Sequence, residues 1–367
     1  MLYYPETIKN LKMGVKAMYK KIWRLVSSIS PAAFSVIVYW FGLLPGEVNA
    51  STHGYYEGKT IHIIVSFSPG GGFDIYSRAI ASHMGKHIPG KPTVIVENMP
   101  GAGGLIAANR LFRSAKPDGL TIGNFPGGLF MEQILGRAGI EFDARKFEYV
   151  GVPVRDSWVC VMTKASGITS IEKWMASETP IKVGSTGPGS STYATPRVLK
   201  AALGLPVHVV SGYKGVPEVK LAADSGEVSG GCTSWDGVKV TWGKAMEAGE
   251  AVVVVQMVPQ PHPELSKVPL GINFAKTEDA RQLIQAGTHD PAALNRAYVL
   301  PPNTSKERVN ILRKAFMDTL KDPEFLADAK KSKQDVDPMS GEELEKAVAR
   351  LFKLNPTIVS RLKEVLQ

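Results

Sequence analysis

The residues best suited to hold a ligand lie in three glycine-rich turns, each set between an apolar run and a helical one. The first reads Ser66-Phe67-Ser68-Pro69-Gly70-Gly71-Gly72-Phe73-Asp74. Its three glycines let backbone N–H groups turn toward a ligand at a helix start, where the dipole favours an anion such as a carboxylate. Asp74 in the first turn either caps the helix or accepts from a ligand hydroxyl or ammonium. The plainer alternative is a tight turn with a capping aspartate, and spacing alone does not separate the two. The second turn, Glu97-Asn98-Met99-Pro100-Gly101-Ala102-Gly103-Gly104, lacks the full G-x-G-x-x-G pattern and follows the second strand, so it does not support a dinucleotide site. The third, Gly184 to Tyr193, repeats the glycine device at Gly187 and Gly189 and adds the hydroxyls of Ser185, Thr186, Ser190, Ser191 and Thr192. Those hydroxyls can donate to ligand oxygens beside the free N–H groups of the helix that follows. No glycine turn carries the lysine of a phosphate loop.

Catalytic patterns are absent from the sequence. The seven histidines show no H-E-x-x-H spacing, Gly187-Pro188-Gly189-Ser190-Ser191 is not a Gly-x-Ser-x-Gly elbow, and neither Cys160 nor Cys232 has a histidine beside it. No metal and no cofactor is expected. The two cysteines lie in strand-like runs and either pair or stay as buried thiols, which spacing leaves open. Trp235 and Asp236 follow a strand, where they either face a ligand or serve as a core tryptophan with a turn aspartate.

The elements that must position these turns alternate. Apolar runs at 61–67, 93–96 and 120–123 are separated by helical runs at 75–87 and 105–114. After a poorly periodic stretch at 126–150 the alternation restarts, with strands expected at 158–162, 181–184, 207–210 and 228–232 and helices at 171–176, 191–203 and 216–223. Strand–helix alternation with continuously apolar strands implies sheets covered by helices on both faces. A further apolar strand at 251–258 and helical runs at 278–285, 306–318 and 341–367 follow.

Six lysines and arginines before residue 25 precede an apolar stretch from Leu25 to Leu44 that ends at Pro45-Gly46 and Val48-Asn49-Ala50, the pattern of a signal peptide cleaved after Ala50. An uncleaved anchor is the alternative, since about 20 residues also suffice to span a bilayer. Of the net charge of +9, residues 1–50 contribute +4 and the remainder +5. That remainder is spread along the chain, which suits anionic solutes and gives no basic stripe for nucleic acid.

The chain resembles the solute-binding receptors of tripartite tricarboxylate transporters, the Bug-type periplasmic proteins. The resemblance rests on Ile64-Val65-Ser66-Phe67-Ser68-Pro69-Gly70-Gly71-Gly72-Phe73-Asp74, Val96 to Gly104, Lys116-Pro117-Asp118-Gly119-Leu120-Thr121, Gly187-Pro188-Gly189-Ser190-Ser191 and Gly212-Tyr213-Lys214-Gly215, in that order. It implies an α/β chain with the type II periplasmic-binding-protein fold, two lobes with a hinge and a central cleft. It also implies a small organic carboxylate held by Ser68, Gly70, Gly71, Gly72, Phe73 and Asp74 from one lobe and by Ser185, Thr186, Gly189, Ser190, Ser191, Thr192 and Tyr193 from the other, with Trp235 and Asp236 nearby. Tyr193 stands where many relatives carry histidine, and the late Pro-Thr…Glu-x-Gly segment is altered to Val268-Pro269-Leu270-Gly271-Ile272. The expected division is a signal peptide at 1–50, a first lobe of 51–152 plus 245–367 and a second lobe of 153–244. The expected role is a monomeric periplasmic receptor, not an enzyme, that passes its ligand to membrane transporter subunits. A cofactor-using α/β enzyme and a membrane-tethered carboxylate sensor are the other readings.

Overall fold

Eleven strands among the described residues collect into two sheets. The computed structural model describes residues 54–367, and the expected signal peptide lies outside them. The strands are β1 (Thr60–Val65), β2 (Thr93–Asn98), β3 (Thr121–Phe125), β4 (Glu148–Val152), β5 (Trp158–Thr163), β6 (Ile181–Ser185), β7 (Val207–Ser211), β8 (Gly230–Ser234), β9 (Ala251–Met257), β10 (Ala297–Leu300) and β11 (Met339–Ser340). The first sheet runs β11-β4-β10-β3-β1-β2 and the second β7-β6-β8-β5-β9. β1 lies parallel to both β2 and β3, and β10 enters antiparallel between β3 and β4. Ile61, Ile63 and Val65 on β1 and Val159 and Val161 on β5 are fully buried, as continuously apolar strands under helices should be.

Each glycine turn joins the end of a strand to the start of a helix. β1 feeds helix Gly72–Met84, β6 feeds helix Ser191–Leu203, and β7 feeds helix Val216–Asp224. β1, β2 and β3 run parallel in the first sheet and β6, β7 and β8 in the second, so within each sheet the helix starts that follow them gather at one edge. The chain crosses between the sheets after β4 and again between β9 and β10. Asp156 lies on the first crossing, and Asn295 and Arg296 on the second. They are tied together: Asn295 Nδ2 and Arg296 Nη1 both donate to the Asp156 carboxylate.

The structure differs from the sequence expectation in four places. The poorly periodic stretch 126–150 holds helix Gly128–Ile134 and the beginning of β4. β9 pairs with β5, so residues 251–257 belong to the second sheet although the lobe boundary was expected at 245. The expected helix over 341–367 is two, Gly341–Leu351 and Pro356–Leu366. Pro356 cannot continue a helix in its interior, but it serves at the first position of a new one that Asn355 caps. The first of these helices packs on β4, while the second packs on helix Ser191–Leu203 in the other lobe, so the C-terminal helices are shared between lobes. Cys160 and Cys232 form a disulfide; they sit opposite each other in the antiparallel β5–β8 register. No helix among the described residues is long and apolar enough to cross a membrane.

Candidate ligand-binding site

A small cavity lies where the glycine turns of the two lobes meet. Phe67, Ser68, Gly71, Gly72, Phe73 and Pro126 line it from one side, and Thr186, Ser190, Ser191, Thr192, Gly215, Val216, Thr233 and Ser234 from the other, with Asn295 at the crossing. None of these residues is a lysine, arginine, histidine, cysteine or carboxylate.

Three of the helices that start here leave their first turns without a side-chain cap, while a fourth, Trp235–Thr241, is capped by Ser234. Several helices elsewhere in the fold are capped by side chains: Ser170, Thr277, Ser305, Asp322, Ser340 and Asn355 each accept from a first-turn N–H, whereas helices Leu105–Ser114, Gly128–Ile134, Gly243–Glu247 and Asp290–Ala293 have no such cap. The helix starts at Gly71, Ser190 and Gly215 have no side-chain cap. Tyr193 N and Glu218 N turn back onto Ser190 O and Gly215 O, and Pro217 has no N–H, but the leading N–H groups of each helix have no intrahelical acceptor, so three positively polarised helix ends adjoin one cavity. This is an anion cradle made of backbone.

Side chains around the cradle hold its shape. Asp74, which is buried, takes Gly70 N–H at 2.9 Å and Arg78 Nε at 2.9 Å on one oxygen and Asn98 Nδ2 at 2.9 Å on the other. Burial pushes its carboxyl up, but bonds from Arg78, Gly70 and Asn98 and the Arg78 charge outweigh that and hold it below the usual range. Asp74 therefore pins the turn from behind. Gly70 is left-handed (φ 82), a conformation that needs glycine.

The third turn uses its hydroxyl protons internally. Ser190 Oγ donates to Gly187 O at 2.6 Å, so in its 2.8 Å contact with Thr192 Oγ1 it must accept. Thr192 in turn accepts from Thr186 N at 2.9 Å and from Thr186 Oγ1 at 3.1 Å. One proton per hydroxyl leaves Thr186, Ser190 and Thr192 with none for a ligand. Ser191 and the first N–H groups of the helix are this turn's donors to the cavity.

The predicted residues thus divide. Ser68, Gly71, Gly72, Phe73, Thr186, Ser190, Ser191 and Thr192 come together at the cavity, whereas Gly70, Asp74, Ser185, Gly189 and Tyr193 stand behind it. Ser185 Oγ accepts from Gly187 N at 3.0 Å, and the Tyr193 ring lies under the Arg197 guanidinium at 4.9 Å. Trp235 and Asp236 are elsewhere. Trp235 Nε1 donates to Glu264 at 2.5 Å beside an open groove, and the Asp236 carboxylate accepts from Tyr76 Oη at 2.8 Å and pairs with Lys239. Phe67, Pro126, Gly215, Val216, Thr233, Ser234 and Asn295 were not foreseen as lining. Gly215 closes the Gly212-Tyr213-Lys214-Gly215 motif and was within reach of sequence reasoning; nothing in the sequence marks Asn295.

The lobes touch across the cavity. Ser68 N–H donates to Lys214 O at 3.1 Å, and Arg137 Nη1 to Pro188 O at 2.8 Å. A Cβ on Gly103 would lie 2.2 Å from Pro188 O, one on Gly128 2.4 Å from Gly189 O, and one on Gly215 2.2 Å from Ser68 Oγ. Only bare backbone permits this approach. The remaining cavity is about 30 Å³, room for a few waters and less than an organic acid needs. Glu132 is buried at this contact, and burial raises its carboxyl to about 7 against Arg137, the Gly189 N–H and Arg197. Two trios of possible metal ligands, His83, Asp322 and Glu324 and also His262, Glu264 and Asp335, each surround a lysine: Lys86 Nζ is 2.8 Å from Asp322, and Lys239 Nζ is 3.0 Å from Glu264. An ammonium already balances their charge.

BugD, a periplasmic binding protein, superposes with TM-score 0.65 at 20% identity, covering 84% of this chain and 97% of its own. MatC from Rhodopseudomonas palustris with bound malate gives TM-score 0.66 at 20% identity, covering 84% and 99%, and an R. palustris protein with adipate gives 0.66 at 20%, covering 84% and 98%. These likenesses establish the type II periplasmic-binding-protein fold. A UPF0065 protein in the gbd 5′ region of Cupriavidus necator is 37% identical over 79 residues, a match that spans 22% of this chain and 22% of that relative's length. Residues 76–251, from the first cavity helix to the start of β9, match the model of the tripartite tricarboxylate transporter family receptor.

Proposed function

We propose that the protein is a periplasmic receptor that closes two lobes around a small organic carboxylate and delivers it to the membrane subunits of a tripartite tricarboxylate-type transporter, without chemistry of its own. The observation that carries this reading is the convergence of three uncapped helix starts on one interlobe cavity. Such a cradle stabilises an anion by N–H groups and dipoles, while the lining supplies no histidine, carboxylate, lysine or cysteine to activate its hydroxyls or to bind a metal. Relatives of this fold bound to malate and adipate support the ligand class. The Cys160–Cys232 disulfide supports an oxidising compartment outside the cytoplasm.

The 30 Å³ gap bears on the mechanism. A ligand enters only when the lobes part, and its carboxylate then replaces part of the contact between Ser68 and Lys214 and between Gly103 and Pro188. Hinged closure of this kind is a familiar response of binding proteins, and the crossings at Asp156 and at Asn295–Arg296 are where the chain would bend. Melting curves in the presence of malate, adipate, citrate, benzoate and the corresponding neutral amides test the reading. A ligand that binds the folded state alone raises the melting temperature. At least one acid should do so and its amide should not; stabilisation by the amides as strong as by the acids would overturn it.

A further inference from the structure

Behind the cavity wall lies a buried cation that the lining does not show. Arg296 is fully buried and adopts φ 54, a left-handed conformation uncommon outside glycine. Its Nη1 donates to Asp156, its guanidinium stacks 4.4 Å above the Tyr76 ring, and its Nη2 donates to Ser234 Oγ at 2.8 Å. Ser234 Oγ also accepts from Gly237 N at 3.2 Å, as the cap of helix Trp235–Thr241. A hydroxyl has two lone pairs and one proton. Both lone pairs of Ser234 are committed, one of them to a charged donor, and no acceptor for its proton is present among the described residues. Ser234 lines the cavity.

We infer that Arg296 is a positioning residue for ligand recognition: with Gly237 N–H it fixes Ser234 so that the hydroxyl can only donate into the cavity, and the ligand must present an acceptor oxygen at that point. This rests on the receptor reading and deepens it. The site distinguishes a carboxylate or keto oxygen from an ammonium or amide N–H there, because two donors facing each other in a buried place leave both unsatisfied. The positive charge behind Ser234 also strengthens its hydrogen bond to an anion. Arg296 thus influences the ligand without touching it.

Two experiments test this, the first needing no ligand. Neutron diffraction from deuterium-exchanged crystals should show the Ser234 deuteron directed into the cavity, with deuterons on Arg296 Nη2 and Gly237 N directed at Ser234 Oγ; a Ser234 deuteron directed at a protein acceptor overturns the inference. The second is calorimetric titration with malate. Ser234→Ala should weaken binding about 10- to 100-fold, Ser234→Thr should keep it, and Arg296→Lys should weaken it by up to about tenfold. The double variant should bind no more weakly than Ser234→Ala alone, because Arg296 acts through that hydroxyl. Additive losses, or a Ser234→Ala variant that binds like the parent, overturn the inference, and the two Ser234 variants decide it even if Arg296→Lys fails to fold. If neither malate nor adipate binds the parent, the reading of the ligand is what fails, and the neutron result still decides the direction of the hydroxyl.

Discussion

Asp74 holds the cradle from behind rather than reaching into it, and its loss should be felt accordingly. Asp74→Ala strands Gly70 N–H, Asn98 and Arg78, so we expect a stability loss of about 1–3 kcal/mol together with weaker ligand binding as the turn loosens. Calorimetry beside a melting curve checks this; an affinity loss with an unchanged melting temperature would mean that Asp74 meets the ligand directly. Glu132 makes a second prediction. Its carboxyl rises from the ordinary 4.5 to about 7 on folding because burial dominates. The folded state therefore binds a proton that the unfolded state lacks between about pH 4.5 and 7, and stability gains from this group as pH falls through that window and is reduced above it. Glu132→Gln should remove this dependence and stabilise the protein at pH 8 by about 1–3 kcal/mol. Parallel melts at pH 5 and pH 8 show it as a parent-to-variant gap that widens with pH, and a constant gap would refute it.

At the scale of elements, closure depends on glycines whose backbones meet. Gly128 begins its helix with an ordinary right-handed backbone, so an added methyl brings no strain except against Gly189 O, 2.4 Å away across the lobes. Gly128→Ala should therefore hold the lobes apart and weaken ligand binding at least tenfold, with a stability change under about 1 kcal/mol as for a substitution outside the packed core. Equal affinity of parent and variant in a calorimetric titration would show that the lobes need not approach this closely. The disulfide acts on a different quantity. Replacing Cys160 and Cys232 by alanine should cost about 2–4 kcal/mol in denaturant melts and leave affinity unchanged, since the bridge joins β5 to β8 within one lobe. Much of this architecture was legible from residue order. Strands such as Ile61–Val65 and helices such as Leu105–Ser114 carry their period and their turns locally. β10 and β11 were not legible, because four- and two-residue strands acquire their identity from the neighbours they pair with. The cradle was half legible: glycines announce a backbone that can bend toward a ligand, but only the fold shows that Ser190 spends its proton on Gly187 O and Thr192 spends its own on Ser190, and that Arg296 arrives from sequence-distant chain to sit behind Ser234.

At the scale of the whole molecule, two sheets joined by two crossings are held together by contacts such as Ser68 N–H to Lys214 O and Arg137 Nη1 to Pro188 O around a cavity of about 30 Å³. The C-terminal helix adds a strap: Arg197 Nε of the second lobe donates to Val365 O, and Gln367 Nε2 donates to Leu135 O of the first. On the proposed reading the lobes part to admit the acid and close again with its carboxylate seated on the helix starts at Gly71, Ser190 and Gly215. Small-angle scattering across a titration with the acid that stabilises the protein most tests this directly. The account predicts that the radius of gyration contracts in step with calorimetric saturation and that the matching neutral amide leaves it unchanged; a radius that stays constant while the acid binds to saturation would contradict it.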